Sequence, residues 1–194
     1  MTQAKAAIRR RMREMRRSLA PESRLRVSAS VCAALAADPC LAAARPTGPV
    51  VAVYLATPDE IDLADFIREM LRRGATVVAP RWNGKSYDLA RLYGLSEREL
   101  RRGPMNVAEP AEADIVEPQS VNAWIVPGLA FASDGRRLGY GGGWYDRLLA
   151  SAAVDAVRIG VAHEFQVLDD LPAAPHDIAM DRVVTELGQF GSAS

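Results

Sequence analysis

Cysteine, histidine and aromatic side chains are scarce in this chain, and each scarcity removes a class of function. Two cysteines, Cys32 and Cys40, are too few for a disulfide framework. With only His163 and His176 beside them, no Cys/His spacing resembles a zinc site. No Ser-His-Asp or Cys-His signature is present either. Nowhere does an apolar run approach the ~18 residues of a membrane span, and the charged N-terminus has no apolar stretch behind it. The 24 basic and 24 acidic residues balance to zero net charge, which speaks against wholesale nucleic-acid binding. A protein of the cytoplasm is expected, acting on small molecules without nucleic acid or membrane as partner.

What the chain does have is apolar bulk: 49% of its 194 residues are hydrophobic. That suffices for a substantial core and most simply for one domain over 1–194 with one active site.

The chain is organised around Arg137-Leu-Gly-Tyr-Gly-Gly-Gly-Trp-Tyr-Asp146. Four glycines in the five positions from Gly139 to Gly143 let a backbone approach an anion closely and turn its N–H groups toward it. Apolar spacing from Trp144 to Ala150 predicts a helix fed by this loop, whose N-terminus also favours negative charge. Two better-known glycine patterns fail here. The dinucleotide fingerprint would need a glycine where Trp144 stands, and the Walker loop would need a lysine that the run lacks. Gly84-Lys85-Ser86 has Ala79 where the Walker pattern needs its first glycine, and it reads as a turn between strands. A ligand-free packed loop is the bland alternative for residues 139–143, and the flanking arginines, aromatics and Asp146 weigh against it.

In chain order, residues 3–19 predict an amphipathic helix with Ile8, Met12, Met15 and Leu19 on its apolar stripe. Lys5, Arg9, Arg13 and Arg16 or Arg17 are placed on an opposite, basic face, either solvated or with Lys5 and Arg9 reaching a polyphosphate. Pro21-Glu22 opens a second helix ending at Asp38-Pro39, and residues 42–49 read as a linker. Val50–Leu55, a helix built on Leu63, Phe66, Ile67, Met70 and Leu71 and capped by Asp62, and Ala75–Ala79 predict a βαβ unit. Further strands are expected at 87–93, 122–126, 157–162 and 183–186. A short helix is expected at 97–101, and a solvated loop over 103–120 accounts for its acids at 109, 112, 114 and 117. Glu60 follows the first strand at the end where open α/β sheets bind ligands. It is either an exposed turn acid or a carboxylate that accepts hydrogen bonds from a ligand. His163 follows a later strand on the same side, and 171–175 reads as a rigid loop leading to His176 and Asp177.

Basic residues, an anion-cradling loop and two carboxylates, Asp146 and Asp177, together describe a site for a nucleoside triphosphate with Mg²⁺. Phosphoryl transfer needs positioning and charge neutralisation more than a side-chain nucleophile.

Leu138 to Arg147, preceded by Val126-Pro-Gly-Leu-Ala-Phe131 and followed by Leu171-Pro172 and His176 to Glu186, resembles the 5-formyltetrahydrofolate cyclo-ligase family. Lys5-x-x-x-Arg9, residues 54–61, Pro80-Arg81 and Glu109-Pro110 extend the resemblance over nearly the whole chain. It implies an ATP- and Mg²⁺-dependent ring closure. The formyl oxygen of 5-formyltetrahydrofolate is phosphorylated, N10 attacks the activated carbon, and phosphate leaves to give 5,10-methenyltetrahydrofolate. It implies ATP contacts at Lys5, Arg9, Arg137, Leu138, Gly139, Tyr140, Gly141, Gly142, Gly143, Trp144 and Tyr145. It implies folate contacts at Leu55, Glu60, Tyr140, Gly141, Gly142, Gly143 and Trp144, and Mg²⁺ at Asp146 and Asp177. The implied fold is α/β, a single-domain open, mostly parallel sheet with helices on both faces, similar to ribose-phosphate isomerase and CoA-transferases. A monomer is expected. Trp144 stands where the family pattern has Tyr, keeping a flat face for stacking on a pterin and losing the phenol hydroxyl. A different ATP-dependent enzyme on the same scaffold and a non-enzymatic RNA- or nucleotide-binding protein are the competing readings.

Overall fold

The computed structural model describes residues 3–42, 48–172 and 177–191. Two helices of equal length come first, α1 (Gln3–Ser18) and α2 (Pro21–Ala36), with a one-turn α3 (Pro39–Ala42) behind them. A βαβ unit follows: β1 (Val50–Ala52), α4 (Ala64–Arg72) and β2 (Thr76–Trp82), with β1 and β2 parallel as the sequence predicts. Asp62 accepts the Ala64 N–H at 2.9 Å, and Gly74, at φ +80°, ends the helix in a conformation that side chains rarely adopt. A hairpin through residues 83–86 leads into antiparallel β3 (Tyr87–Arg91), so Gly84-Lys85-Ser86 is a turn between strands. Short strands β4 (Leu100–Arg102) and β5 (Ala108–Pro110) pair beside it. Then come β6 (Ala123–Pro127), β7 (Ala130–Ala132), β8 (Arg137–Leu138), α5 (Trp144–Leu149), β9 (Val157–Val161), β10 (Val167–Leu168), β11 (Arg182–Val184) and β12 (Gln189–Gly191).

The main sheet has the order β12-β11-β9-β6-β1-β2-β3. Its five inner strands are parallel and its two edges antiparallel. Successive side chains along each strand leave on opposite faces, and the core divides accordingly. Val51, Val77, Ala79, Ile125 and Ile159 pack with Val31 and Leu35 of α2 and Phe66, Ile67 and Met70 of α4. Ala52, Val78, Trp124, Val126 and Val183 pack on the other side with Leu148 and Leu149 of α5. Nearly continuous apolar runs are what a sheet covered on both faces requires.

The second sheet, β10-β7-β8, positions the site. Its Leu129, Ala130, Ala132 and Leu138 form a third cluster with Met12 of α1. The N-terminal helix is thereby fixed against the strand from which the glycine loop departs.

Two expectations fail. Residues 97–101 make a turn and the start of β4, because Glu99 folds back to take hydrogen bonds from the Ser96 N–H and hydroxyl, and β4 then pairs with β5. Glu109 is no solvated loop acid: it lies on β5, 1% exposed, 3.0 Å from Arg101. The linker reading of 42–49 and the loop reading of 171–175 fall mostly outside the described residues, as does His176.

Phe66 is fully buried between α4 and the sheet. Phe66→Ala is expected to lower unfolding free energy by about 3–5 kcal/mol, read as a lower urea midpoint with an unchanged slope.

Candidate functional site

The parallel strands β1, β2, β6 and β9 end on one edge of the sheet, and α1 crosses that edge. Lys5, Arg9, Met12 and Arg16 recur at spacings of four, three and four, a single helical stripe about 16 Å long at 1.5 Å per residue. This corrects the sequence reading of a basic face opposite the apolar one. Arg9 and Arg16 are buried at 8% and 2% exposure on the side that holds Met12. Each, like Lys5, finds its partners on segments outside α1. Lys5 Nζ meets Asp177 at 2.7 Å, and Arg9 Nε donates to the Gly139 carbonyl at 2.8 Å. Arg16 donates to the Asp59 carbonyl at 2.6 Å and to the Tyr140 hydroxyl at 2.7 Å.

Residues 57–60 turn the chain just beyond the end of β1. Glu60 accepts hydrogen bonds from the Thr57 N–H and hydroxyl, each at 2.8 Å, and from the Tyr140 hydroxyl. Desolvation of its hydroxyl, then the Glu60 charge, push the phenol of the otherwise half-exposed Tyr140 well above its ordinary pKa, so it remains a proton donor. The turn and the glycine loop, 80 residues apart in sequence, therefore meet directly. Leu55 is half-buried against the core beneath them.

The glycine loop has its own supports. Gly141 and Gly143 have φ of +107° and +65°, which disfavours any side chain there. A Cβ on Gly142 would come within 2.8 Å of the Trp144 ring. Leu138 is buried, while Gly141 and Gly142 lie at the surface. Arg137, by contrast, is buried beneath the loop: it ion-pairs with Asp146 at 2.7 Å and lies over the Tyr145 ring. Burial raises the Tyr145 phenol pKa strongly. Trp144 meets Trp82 and Tyr87 in near-perpendicular contacts with centroids 5.3 Å apart, and Arg147 lies 4.0 Å over its ring. The indole is thus a brace in an aromatic corner rather than an open platform.

Of the residues expected at ATP and folate, Arg9 meets Gly139, Glu60 meets Tyr140, Arg137 lies over Tyr145, and Trp144 packs against Trp82 and Tyr87. The two expected metal carboxylates are each engaged by a cation, Asp146 by Arg137 and Asp177 by Lys5. Among the described residues no group of three His, Cys, Asp or Glu could hold a metal. Arg16 was not singled out from the sequence. The signal that finds it is its spacing of seven from Arg9 with Met12 between, since three positions one helical turn apart must share a face.

His163 lies just after β9, 2% exposed and stacked on Phe165 at 5.1 Å. Burial, followed by repulsion from Arg16 and Arg24, lowers its pKa from 6.5 to about 4. A buried neutral base binds its proton later than the unfolded chain does. Stability is therefore intact above pH 6.5, falls as pH drops from 6.5 to about 4, and falls no further below that on this account. The whole shift corresponds to roughly 3 kcal/mol. Urea unfolding at several pH values should show the wild-type advantage over His163→Gln shrinking across that window; a constant difference would refute the assignment.

The family model of the 5-formyltetrahydrofolate cyclo-ligase family matches residues 1–186. The 5-formyltetrahydrofolate cyclo-ligase of Escherichia coli (strain K12) is 30% identical, covering 90% of this chain and 96% of its own length. The mouse (Mus musculus) enzyme of the same name is 27% identical over 94% of both. The NMR structure of Aquifex aeolicus 5,10-methenyltetrahydrofolate synthetase superposes with a TM-score of 0.83 at 33% identity, over 96% of this chain and 92% of that one. A second synthetase structure, from Mycoplasma pneumoniae, shares the fold at a TM-score of 0.72 and 22% identity, over 94% and 98%. On the glycine loop, the α/β sheet and a match that runs from residue 1 to residue 186, the chain belongs to the 5-formyltetrahydrofolate cyclo-ligase family.

Proposed function

We infer that this chain is an ATP-dependent ligase that closes 5-formyltetrahydrofolate to 5,10-methenyltetrahydrofolate, releasing ADP and phosphate. The observation that carries the reading is the convergence of α1, the 57–60 turn and the glycine loop on one sheet edge in a chain of this family. The formyl oxygen is a poor leaving group until it carries phosphate. The protein's task is thus to hold the γ-phosphate against that oxygen and N10 against the formyl carbon.

Lys5 and Arg9, with the loop amides of residues 139–143, take the triphosphate in this reading. Arg137 acts from below by fixing Asp146 and the loop's entry. Glu60, in the turn beyond β1, accepts N–H groups of the pterin, and Leu55 precedes it on the path from the strand. Asp146 and Asp177 would hold Mg²⁺. Two hard, partly exposed carboxylates are what that ion takes from a protein when phosphate oxygens and water complete its shell. Bound there, the ion would offset the negative charge that develops on the phosphates. Lys5 and Arg137 keep the two carboxylates neutralised in the free protein, and Lys5 turns to phosphate when the nucleotide arrives.

No described helix is long and apolar enough to cross a membrane. A cytoplasmic monomer of one domain is the simplest setting for such an enzyme. The burial of Arg9 and Arg16 removes two of the cations that an RNA-binding helix would need to present.

The methenyl product absorbs where the formyl substrate does not. Mixing protein, 5-formyltetrahydrofolate, Mg²⁺ and ATP should produce that chromophore, and omission of any one component should abolish it. ATP binding without chromophore would retain the scaffold and reject the folate. Glu60→Gln should raise the KM for the folate about tenfold, the loss of roughly one charged hydrogen bond, with the KM for ATP changed less than twofold. Equal changes in both would remove Glu60 from the folate subsite.

A further inference from the structure

We propose that Arg16 is a positioning residue, which fixes the hydrogen-bonding direction of Glu60 through the Tyr140 hydroxyl. The inference rests on the reading of Glu60 as a folate contact. Arg16 is 2% exposed, and its guanidinium is shared between two partners. Nε donates to the Asp59 carbonyl at 2.6 Å, with Nη2 3.4 Å from the Asp59 carboxylate, and Nη1 donates to the Tyr140 oxygen at 2.7 Å.

A guanidinium has donors only. The Tyr140 oxygen must therefore accept from Arg16, and its single proton is left to point at Glu60, where the hydroxyl indeed donates to Oε1. Oε2 is held from the opposite side by the Thr57 N–H and hydroxyl. Three donors then fix the plane of the Glu60 carboxylate before any ligand arrives, and the donor chain has one polarity throughout. Arg24 steadies the same turn from α2, giving one hydrogen bond to the Pro58 carbonyl at 2.9 Å and another to the Arg16 carbonyl at 3.0 Å.

A purely structural plug at this point of α1 would be apolar, as Met12 is one turn earlier. Burying a guanidinium is costly unless its charge and hydrogen bonds are answered, and here the answering groups are Asp59, on the turn that carries Glu60, and the Tyr140 hydroxyl that bonds Glu60. A preset acceptor loses less freedom when it captures the N–H donors of a ring edge. The effect therefore falls on folate binding rather than on nucleotide binding.

The test is steady-state kinetics with each substrate varied in turn, on Arg16→Met, Arg16→Lys, Tyr140→Phe, the double variant Arg16→Met/Tyr140→Phe and Glu60→Gln, with melting temperatures recorded alongside. Arg16→Met and Tyr140→Phe should each raise the folate KM five- to tenfold and change the ATP KM less than twofold. Arg16→Lys should recover part of the loss. The double variant should lose less than the product of the two single effects, since both break one chain. Parallel rises in both KM values, or multiplicative single effects, would overturn the proposal. If Glu60→Gln leaves the folate KM unchanged, the folate reading of Glu60 fails first. If Glu60→Gln raises it and Arg16→Lys and Tyr140→Phe do not, Arg16 has no positioning role. Those last two variants decide the matter should Arg16→Met not fold.

Discussion

The burial of cations from one helix against the C-terminal edge of the sheet is the constraint on which the site depends. Arg9 and Arg16 leave water only because backbone carbonyls and a phenol oxygen on other segments accept their protons. Those acceptors lie on residue 139 of the glycine loop, residue 140 beside it, and residue 59 of the turn after β1. Hydrophobic packing sets the depth of the helix, through Met12 on the small sheet. Arg9 ties it to the glycine loop, and Arg16 ties it to the turn after β1. Lys5 meets Asp177 from the same helical stripe, and the turn carrying Glu60 is tied directly to Tyr140.

The same arrangement explains how so much charge is tolerated in one place. Lys5–Asp177 and Arg137–Asp146 are ion pairs within the fold. Each also joins a residue suited to phosphate with one suited to a divalent cation. In the proposed reading a nucleotide and its metal enter as Lys5 exchanges Asp177 for phosphate, while Arg137 keeps its place. The two pairs differ in burial. Arg137, 4% exposed, is committed to its place under the loop, whereas Lys5, 14% exposed on a flexible stem, is free to turn.

Much of this was legible in the sequence because it rested on period and punctuation. The apolar runs of β1, β2 and β6 announce strands covered on both faces, and Gly74 marks the end of α4. The glycine loop and the residues around it announce the family. What misled the reading was polarity taken as a proxy for exposure. Arg16 and Glu109 are charged, and charge in a helix or an acidic loop ordinarily faces water. Both are buried because a partner on another element answers them, Tyr140 for Arg16 and the neighbouring strand's Arg101 for Glu109. Pairing of that kind is a tertiary event that leaves no local trace. Trp144 shows the same limit. Its aromatic face suggested a stacking platform, but Arg147 and the ring edges from β2 and β3 claim it in the fold.

The role of Trp144 follows from that crowding. A loop of four glycines has a high conformational entropy in the unfolded chain and few side chains with which to resist motion in the folded one. Its shape must be imposed from its flanks. On one side Arg9 holds the Gly139 carbonyl from α1. On the other, Arg147 is held over the indole and donates to the Gly142 carbonyl at 2.8 Å, so the ring and the guanidinium together fix the loop's far end. An indole presents a larger face to a cation than a phenol does and gives the stronger attraction. Trp144 in place of tyrosine therefore trades a hydroxyl for a firmer grip on Arg147, and through it on the loop backbone at Gly142.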